Sequence, residues 1–127
     1  MKRINASDAP GAAGGYSQAV EFGRVKRTLL VSGQIPVAMD GNVPSGFAGQ
    51  CRLAWANVTA QLRAAGMGIE NLVKVTIFLS DRRYAEQNRD IRNEILNGHA
   101  PALTVIITGI FDETWLLEIE AIAVEEE

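Results

Sequence analysis

A chain of 127 residues with 47% hydrophobic and 21% charged residues is long enough for one domain, 1–127, that removes roughly two-thirds of its unfolded surface from water. Its net charge of −3 gives no long-range attraction for phosphate backbones or anionic lipid, so neither nucleic acid nor a membrane is expected as a partner. Cys51 is the single cysteine, which excludes an internal disulfide and a multi-cysteine zinc site.

Residues 9–15, rich in Gly, Ala and Pro, read as a loop leading into Tyr16. Within 28–32, the apolar run Leu29-Leu30-Val31, bounded by Gly33 and Pro36, fits a short buried strand, and Asp40-Gly41-Asn42 supplies a turn. From Phe47 the spacing becomes helical: Phe47, Cys51, Ala54, Trp55, Val58, Leu62 and Ala65 form one stripe, stopped by Gly66 and Gly68. Leu72 to Leu79 is rich in β-branched residues and apolar on both alternating faces, which predicts a strand deep in a sheet.

Ser80-Asp81 offers an N-cap for a second helix from about Arg82 to Ile95. Tyr84, Asn88, Ile91 and Ile95 fall on its apolar stripe, and Asn97-Gly98 ends it. Arg82, Arg83, Arg89 and Arg92, interleaved with Glu86, Asp90 and Glu94, read as a solvated, internally paired face. Two more strands are predicted, Leu103 to Thr108 and Trp115 to Val124, with Phe111 to Thr114 as the turn between them. This order predicts an α+β fold, a mixed sheet with two helices packed on one face. The other face would carry too many apolar side chains to stay wet, so a second copy of the chain is expected to cover it.

Glu120 is the strongest chemical candidate. It lies between Ile119 and Ala121 near the middle of a largely apolar strand, where an acid must be paired, exposed at an edge, or lining a polar pocket. Burial in such a pocket would raise its pKa and suit it to carrying protons; an edge glutamate in water fits the spacing equally well. Asn88, on a buried stripe, is by type more often a structural hydrogen bonder than a ligand contact, and Tyr16 beside a flexible loop is more often a packing anchor. His99 is the lone histidine and reads as a surface-loop residue; with no His-x-His pattern or neighbouring cysteine, no metal is expected. Cys51 belongs to the apolar stripe and reads as inert core. The glycines form no phosphate cradle, so no nucleotide and no other cofactor is expected. The N-terminus lacks the apolar run of a secretory signal and no stretch approaches ~20 apolar residues, which makes a cytoplasmic location the expectation.

Four separated segments, Gly15-Tyr16-Ser17-Gln18-Ala19-Val20, Val31-Ser32-Gly33-Gln34-Ile35-Pro36, Pro101-Ala102-Leu103-Thr104-Val105 and Glu118-Ile119-Glu120-Ala121-Ile122-Ala123, together resemble the Rid/YjgF family of reactive-intermediate (imine and enamine) deaminases. Ala64-Ala65-Gly66, Val73 to Leu79 and Asn88 extend the resemblance across nearly the whole chain. It implies a chorismate mutase-like homotrimer whose sheets form a central barrel, with a small-molecule pocket in each cleft between subunits. It also implies Tyr16, Asn88 and Glu120 at that pocket, with the Ser32-Gly33 backbone near the ligand.

In the deaminating members an arginine pairs with the substrate carboxylate. By the resemblance it falls on Leu103, and a frequent neighbouring cysteine falls on Val105. Arginine offers a planar fork for a carboxylate and leucine offers none. Hydrogen bonds to charged groups contribute roughly 1.5 to 3 kcal/mol each, so the small imino acids typical of the family are expected to be poor substrates and a less charged ligand a better one. Two functions follow: hydrolysis of an imine or enamine that does not need the arginine, with Glu120 positioning water, or a non-catalytic small-molecule-binding trimer. The family's endoribonuclease label fits poorly with the acidic charge and single histidine.

Overall fold

The computed structural model describes residues 1–127. A long, twisted main sheet takes its strands from β3 (Val25–Gln34), β4 (Leu72–Leu79), β5 (Ala102–Ile107) and β6 (Leu117–Glu126), in the order β3-β6-β4-β5. β6 is antiparallel to both neighbours, while β4 and β5 are parallel, so the sheet is mixed as predicted. Helices α1 (Phe47–Ala64) and α2 (Ala85–Leu96) supply the crossovers that parallel strands require. A separate antiparallel pair, β1 (Lys2–Ile4) and β2 (Ala19–Glu21), brackets the loop at 9–15.

The apolar stripe of α1 is the reason the sheet folds. Cys51, Ala54, Trp55, Val58 and Leu62 are completely buried, against Val75, Ile77 and Leu79 of β4 and Leu117, Ile119 and Ala123 of β6. Phe47 of α1 stacks on Tyr84 at 4.6 Å between ring centroids. Arg52 of α1 pairs with Glu94 of α2, fixing the two helices side by side.

The bounds of β3 and the starts of the second helix and the last strand differ from the sequence reading. β3 extends well beyond 28–32, and Leu30 within it is 73% exposed, because alternation sends Leu29 and Val31 under the helices and Leu30 to the uncovered face. The second helix starts at Ala85, after a single 3₁₀ turn at Arg82–Tyr84 whose cap is the Asp81 carboxylate, accepting from the Arg83 amide at 2.9 Å. It stops at Asn97, as the sequence predicts, with that residue in the left-handed conformation at φ 45°. The last strand begins at Leu117, since the Leu116 amide donates to Gln50 Oε1 and not to a neighbouring strand. β4 is also less deeply buried than its composition suggests: Lys74, Thr76 and Phe78 are half-buried on the uncovered face.

That uncovered face carries Leu30 opposite Ile122 and Phe78 opposite Ile106, with no element of the same chain above them. β1 and β2 were invisible in the sequence because Lys-Arg-Ile and Ala-Val-Glu lack an apolar run.

Burial pushes the Cys51 thiol up to about 12, against the opposing pull of Arg52 and Arg92. An acid whose folded pKa is raised holds its proton longer in the folded state, so its contribution to stability is complete below the unfolded value of 9.0 and lost as pH rises toward about 12. Urea melts between pH 8 and 11 are expected to show a steeper loss of stability for this protein than for Cys51→Ala. Ile77→Ala, which empties a fully buried position on β4, is expected to lower stability by about 2 to 5 kcal/mol in the same melts.

Candidate functional site

The predicted site residues fall into two groups on opposite faces of the sheet. The first group lies on the uncovered face. Glu120 stands on β6, a central strand, directly opposite Thr76 of β4, and its side chain is exposed in the single chain. It lines a cavity of about 300 Å³ with Leu30, Ser32, Lys74, Thr76 and Ile122. Because β6 is paired on both sides, Glu120 is not an edge glutamate.

Beside Glu120 the ladder between β3 and β6 slips. Val31 pairs with Ala121 and Gln34 with Ile119, so Ser32 and Gly33 together oppose Glu120. This bulge takes Ser32 and Gly33 out of the regular ladder next to the carboxylate, and Ser32 O accepts from the Gln34 side-chain amide at 3.0 Å. The missing Cβ at Gly33 gives the Glu118 carboxylate its place, and a side chain there would displace it.

Lys74 and Thr76 were missed by the sequence reading. Their signal was present: two polar residues, two apart, in an otherwise apolar strand mark one face by period-2 alternation. The Lys74 ammonium donates to the Thr104 hydroxyl at 2.8 Å and makes no salt bridge with Glu120.

The second group sits on the helix side, at the outer edge of β5. Leu103 pairs with Val75 and packs, half-buried, against the core; Val105, two residues on, is 39% exposed. Thr104 and Glu120 both pair with Thr76, so Leu103 and Glu120 point to opposite faces and one chain does not bring them together. Tyr16, half-buried, is tied to the start of β5 through Ser17. The Ser17 amide donates to Pro101 O at 3.1 Å, its hydroxyl donates to Ala100 O at 2.6 Å, and Ser17 bridges to Ala102. Asn88 of α2 is 1% exposed, as its place on the apolar stripe predicts, yet its side-chain oxygen has no hydrogen-bond partner.

Two readings of single residues are corrected. His99 is half-buried and hydrogen-bonded: its Nε2 lies 2.7 Å from Leu72 O, which only accepts, so Nε2 carries the proton. Arg92 does not lie on a solvated, paired face. It is 3% exposed and makes no salt bridge, because the fourth residue after Asn88 returns to the same buried stripe.

The family model described as endoribonuclease L-PSP matches residues 6–125. The chain belongs to this family, for which Rid/YjgF is the other name used above. Among relatives of the Rid/YjgF family, it is 37% identical over 126 residues to the 2-iminobutanoate/2-iminopropanoate deaminase of Rattus norvegicus, covering 98% of this chain and 90% of that one. The protein of the same name from Escherichia coli strain K12 is 35% identical over 127 residues, covering 97% of each. The crystal structure of E. coli TdcF with bound serine is similar over 99% of this chain and 100% of that one, at 33% identity and a TM-score of 0.74. The two-helix mixed-sheet architecture is thus the Rid/YjgF fold.

The loop entering Tyr16 depends on glycine. Gly15 has φ +87°, and a Cβ there would overlap the Asn93 side chain. Gly15→Ala is expected to cost about 1 kcal/mol or more in a denaturation melt, since alanine is strained at positive φ.

Proposed function

We propose that this chain forms a homotrimer that hydrolyses an imine or enamine in clefts between subunits. The observation that carries this reading is the division of the site between two faces. Glu120 and the Ser32-Gly33 bulge stand on the uncovered face, while Leu103 and Val105 stand on the other face at the edge of β5, with Tyr16 tied to the start of that strand through Ser17 and Asn88 on α2. A neighbouring copy laid on the uncovered face would cover Leu30 and Ile122 and bring its own β5 edge toward Glu120. The names of the rat and E. coli relatives, imine deaminases both, support the reaction class.

In this reading Glu120 orients a water and accepts its proton as the oxygen adds to the imine carbon. The nitrogen, protonated in turn, leaves as ammonia when the C–N bond breaks, and the carbonyl compound remains. Ser32 and Gly33, taken out of the ladder by the bulge, border the site, and Tyr16 offers a hydroxyl from the other subunit. No metal or cofactor takes part. With leucine at 103, β5 offers no fork to a substrate carboxylate; affinity then comes from contact with Leu103 and Val105 or from a cation on another element.

The test is ammonia release from freshly generated imines, with light scattering on the same samples. A trimer is expected, and Glu120→Gln is expected to keep it while lowering turnover about 100-fold or more, the usual worth of a positioned general base. A stable monomer at micromolar concentration, or undiminished turnover by Glu120→Gln, would contradict the proposal. Ligand binding by a trimer that releases no ammonia from any imine would assign the cleft to binding alone.

A further inference from the structure

Across the uncovered face, one row of polar side chains runs from a carboxylate to an ammonium. Glu120 of β6 pairs with Thr76 of β4, and Thr76 pairs with Thr104 of β5, so the three project to the same side from three adjacent strands. The Lys74 ammonium closes the row by donating to the Thr104 hydroxyl at 2.8 Å. Next to this row Lys74 itself stands between the apolar Ile122 and Ala102, and on the other side Phe78 stands between Glu118 and Ile106.

Neither end of the row is neutralised. Glu120 and Lys74 make no salt bridge, with each other or with any other residue, yet both line one cavity of about 300 Å³ together with Ser32 and Thr76. Neighbouring strands lie about 4.8 Å apart, so the strands bearing Glu120 and Thr104 are separated by roughly 10 Å, with Thr76 as the floor between them. A small ligand resting on Thr76 has a proton acceptor on one side and a proton donor on the other. The stem of Lys74 borders the cavity and the hydroxyl that holds its ammonium is neutral, so a swing toward such a ligand breaks no ion pair. An acid and a base kept apart in one cavity are what a reaction needs when it takes a proton from one atom and gives one to another.

We propose that Lys74 is a further catalytic residue, the general acid that protonates the departing nitrogen while Glu120 serves as the base. This role rests on the imine hydrolysis of the proposed function. The substrate reacts as its protonated iminium: Glu120 takes a proton from water, the oxygen adds to the carbon, and the electron pair of the C=N bond passes to nitrogen. The Lys74 ammonium then gives a proton to the amine of this carbinolamine. The C–N bond breaks with its electron pair leaving on ammonia, the hydroxyl becomes the carbonyl, and its proton returns to the Lys74 amine. Glu120 releases the proton it took from water to solvent, and both groups are restored.

The test compares imines that differ in how much help the leaving nitrogen needs. N-ethyl and N-trifluoroethyl imines of pyruvate and of cyclohexanone are supplied to the full-length protein, to Lys74→Met and to Lys74→Arg, with carbonyl release followed and assembly checked by light scattering. On the N-ethyl imines, Lys74→Met is expected to lower kcat about 100-fold, the usual worth of a positioned acid, with KM little changed. On the trifluoroethyl imines, whose weakly basic amine leaves with less assistance, the loss is expected to shrink to below about tenfold. Lys74→Arg is expected to be as slow as Lys74→Met, because a guanidinium keeps the charge and does not give up its proton. Equal losses on both kinds of imine, full rescue by arginine, or undiminished turnover by Lys74→Met would each overturn the proposal. Where Lys74→Met fails to fold, Lys74→Arg decides on the same pair of imines. Failure of the wild-type protein to release a carbonyl from any of them would remove the hydrolase reading and this role with it, whereas release that the Lys74 variants leave untouched would remove this role alone.

Discussion

Burial of one face of β6 beneath α1 is the constraint on which the rest depends. Leu117, Ile119, Ala121 and Ala123 alternate inward to meet the α1 stripe, so Glu118, Glu120 and Ile122 must alternate outward. A one-residue slip would drive Glu120 into the core and is excluded by the cost of an unpaired buried acid. The same alternation, carried across β4, puts Lys74 and Thr76 beside Glu120, and carried to β5 it turns Leu103 away from it. The polar group around Glu120 on one face is thus a by-product of packing on the other.

The bulge at Ser32-Gly33 is the one place where this regular ladder is broken. It adds a residue to β3 opposite Glu120, and the missing Cβ of Gly33 leaves room for the Glu118 carboxylate. A ladder interruption beside the acid that faces Thr76 takes two residues of β3 out of regular pairing at the mouth of that cavity. At the opposite side of the sheet, the Ser17 bridge does similar work. It fastens Tyr16 against the start of β5 and leaves the rest of that edge unpaired. Glu120's neighbours on β3 and the loop carrying Tyr16 are each placed by a local departure from regular pairing.

Much of this was legible in the sequence. The α1 stripe, the β4 run and the order of elements gave the α+β sheet because 3.6- and 2-residue periods report burial directly. Glu120 stood out for the same reason, as an acid interrupting apolar neighbours. The failures share a cause as well. Leu30 and Leu103 are both aliphatic, yet one faces the open side and the other the helices, and composition cannot tell which face of a sheet is covered. Arg92 was assigned to solvent by its charge pattern, although its spacing from Asn88 already placed it on the buried stripe. β1 and β2 carry no apolar pattern at all, because their pairing buries little.

The central claim is that the site is assembled from opposite faces of two different copies, and complementation between two crippled chains tests it most directly. Glu120→Gln damages one half and Tyr16→Phe the other, so neither pure trimer is expected to release ammonia from an imine at the normal rate. Co-expressed, the two chains form mixed trimers in which some clefts take Glu120 from one chain and Tyr16 from its neighbour. The account predicts that activity returns in the mixture to well above that of either variant alone. A mixture no more active than its components would place both residues in one subunit's site and contradict it.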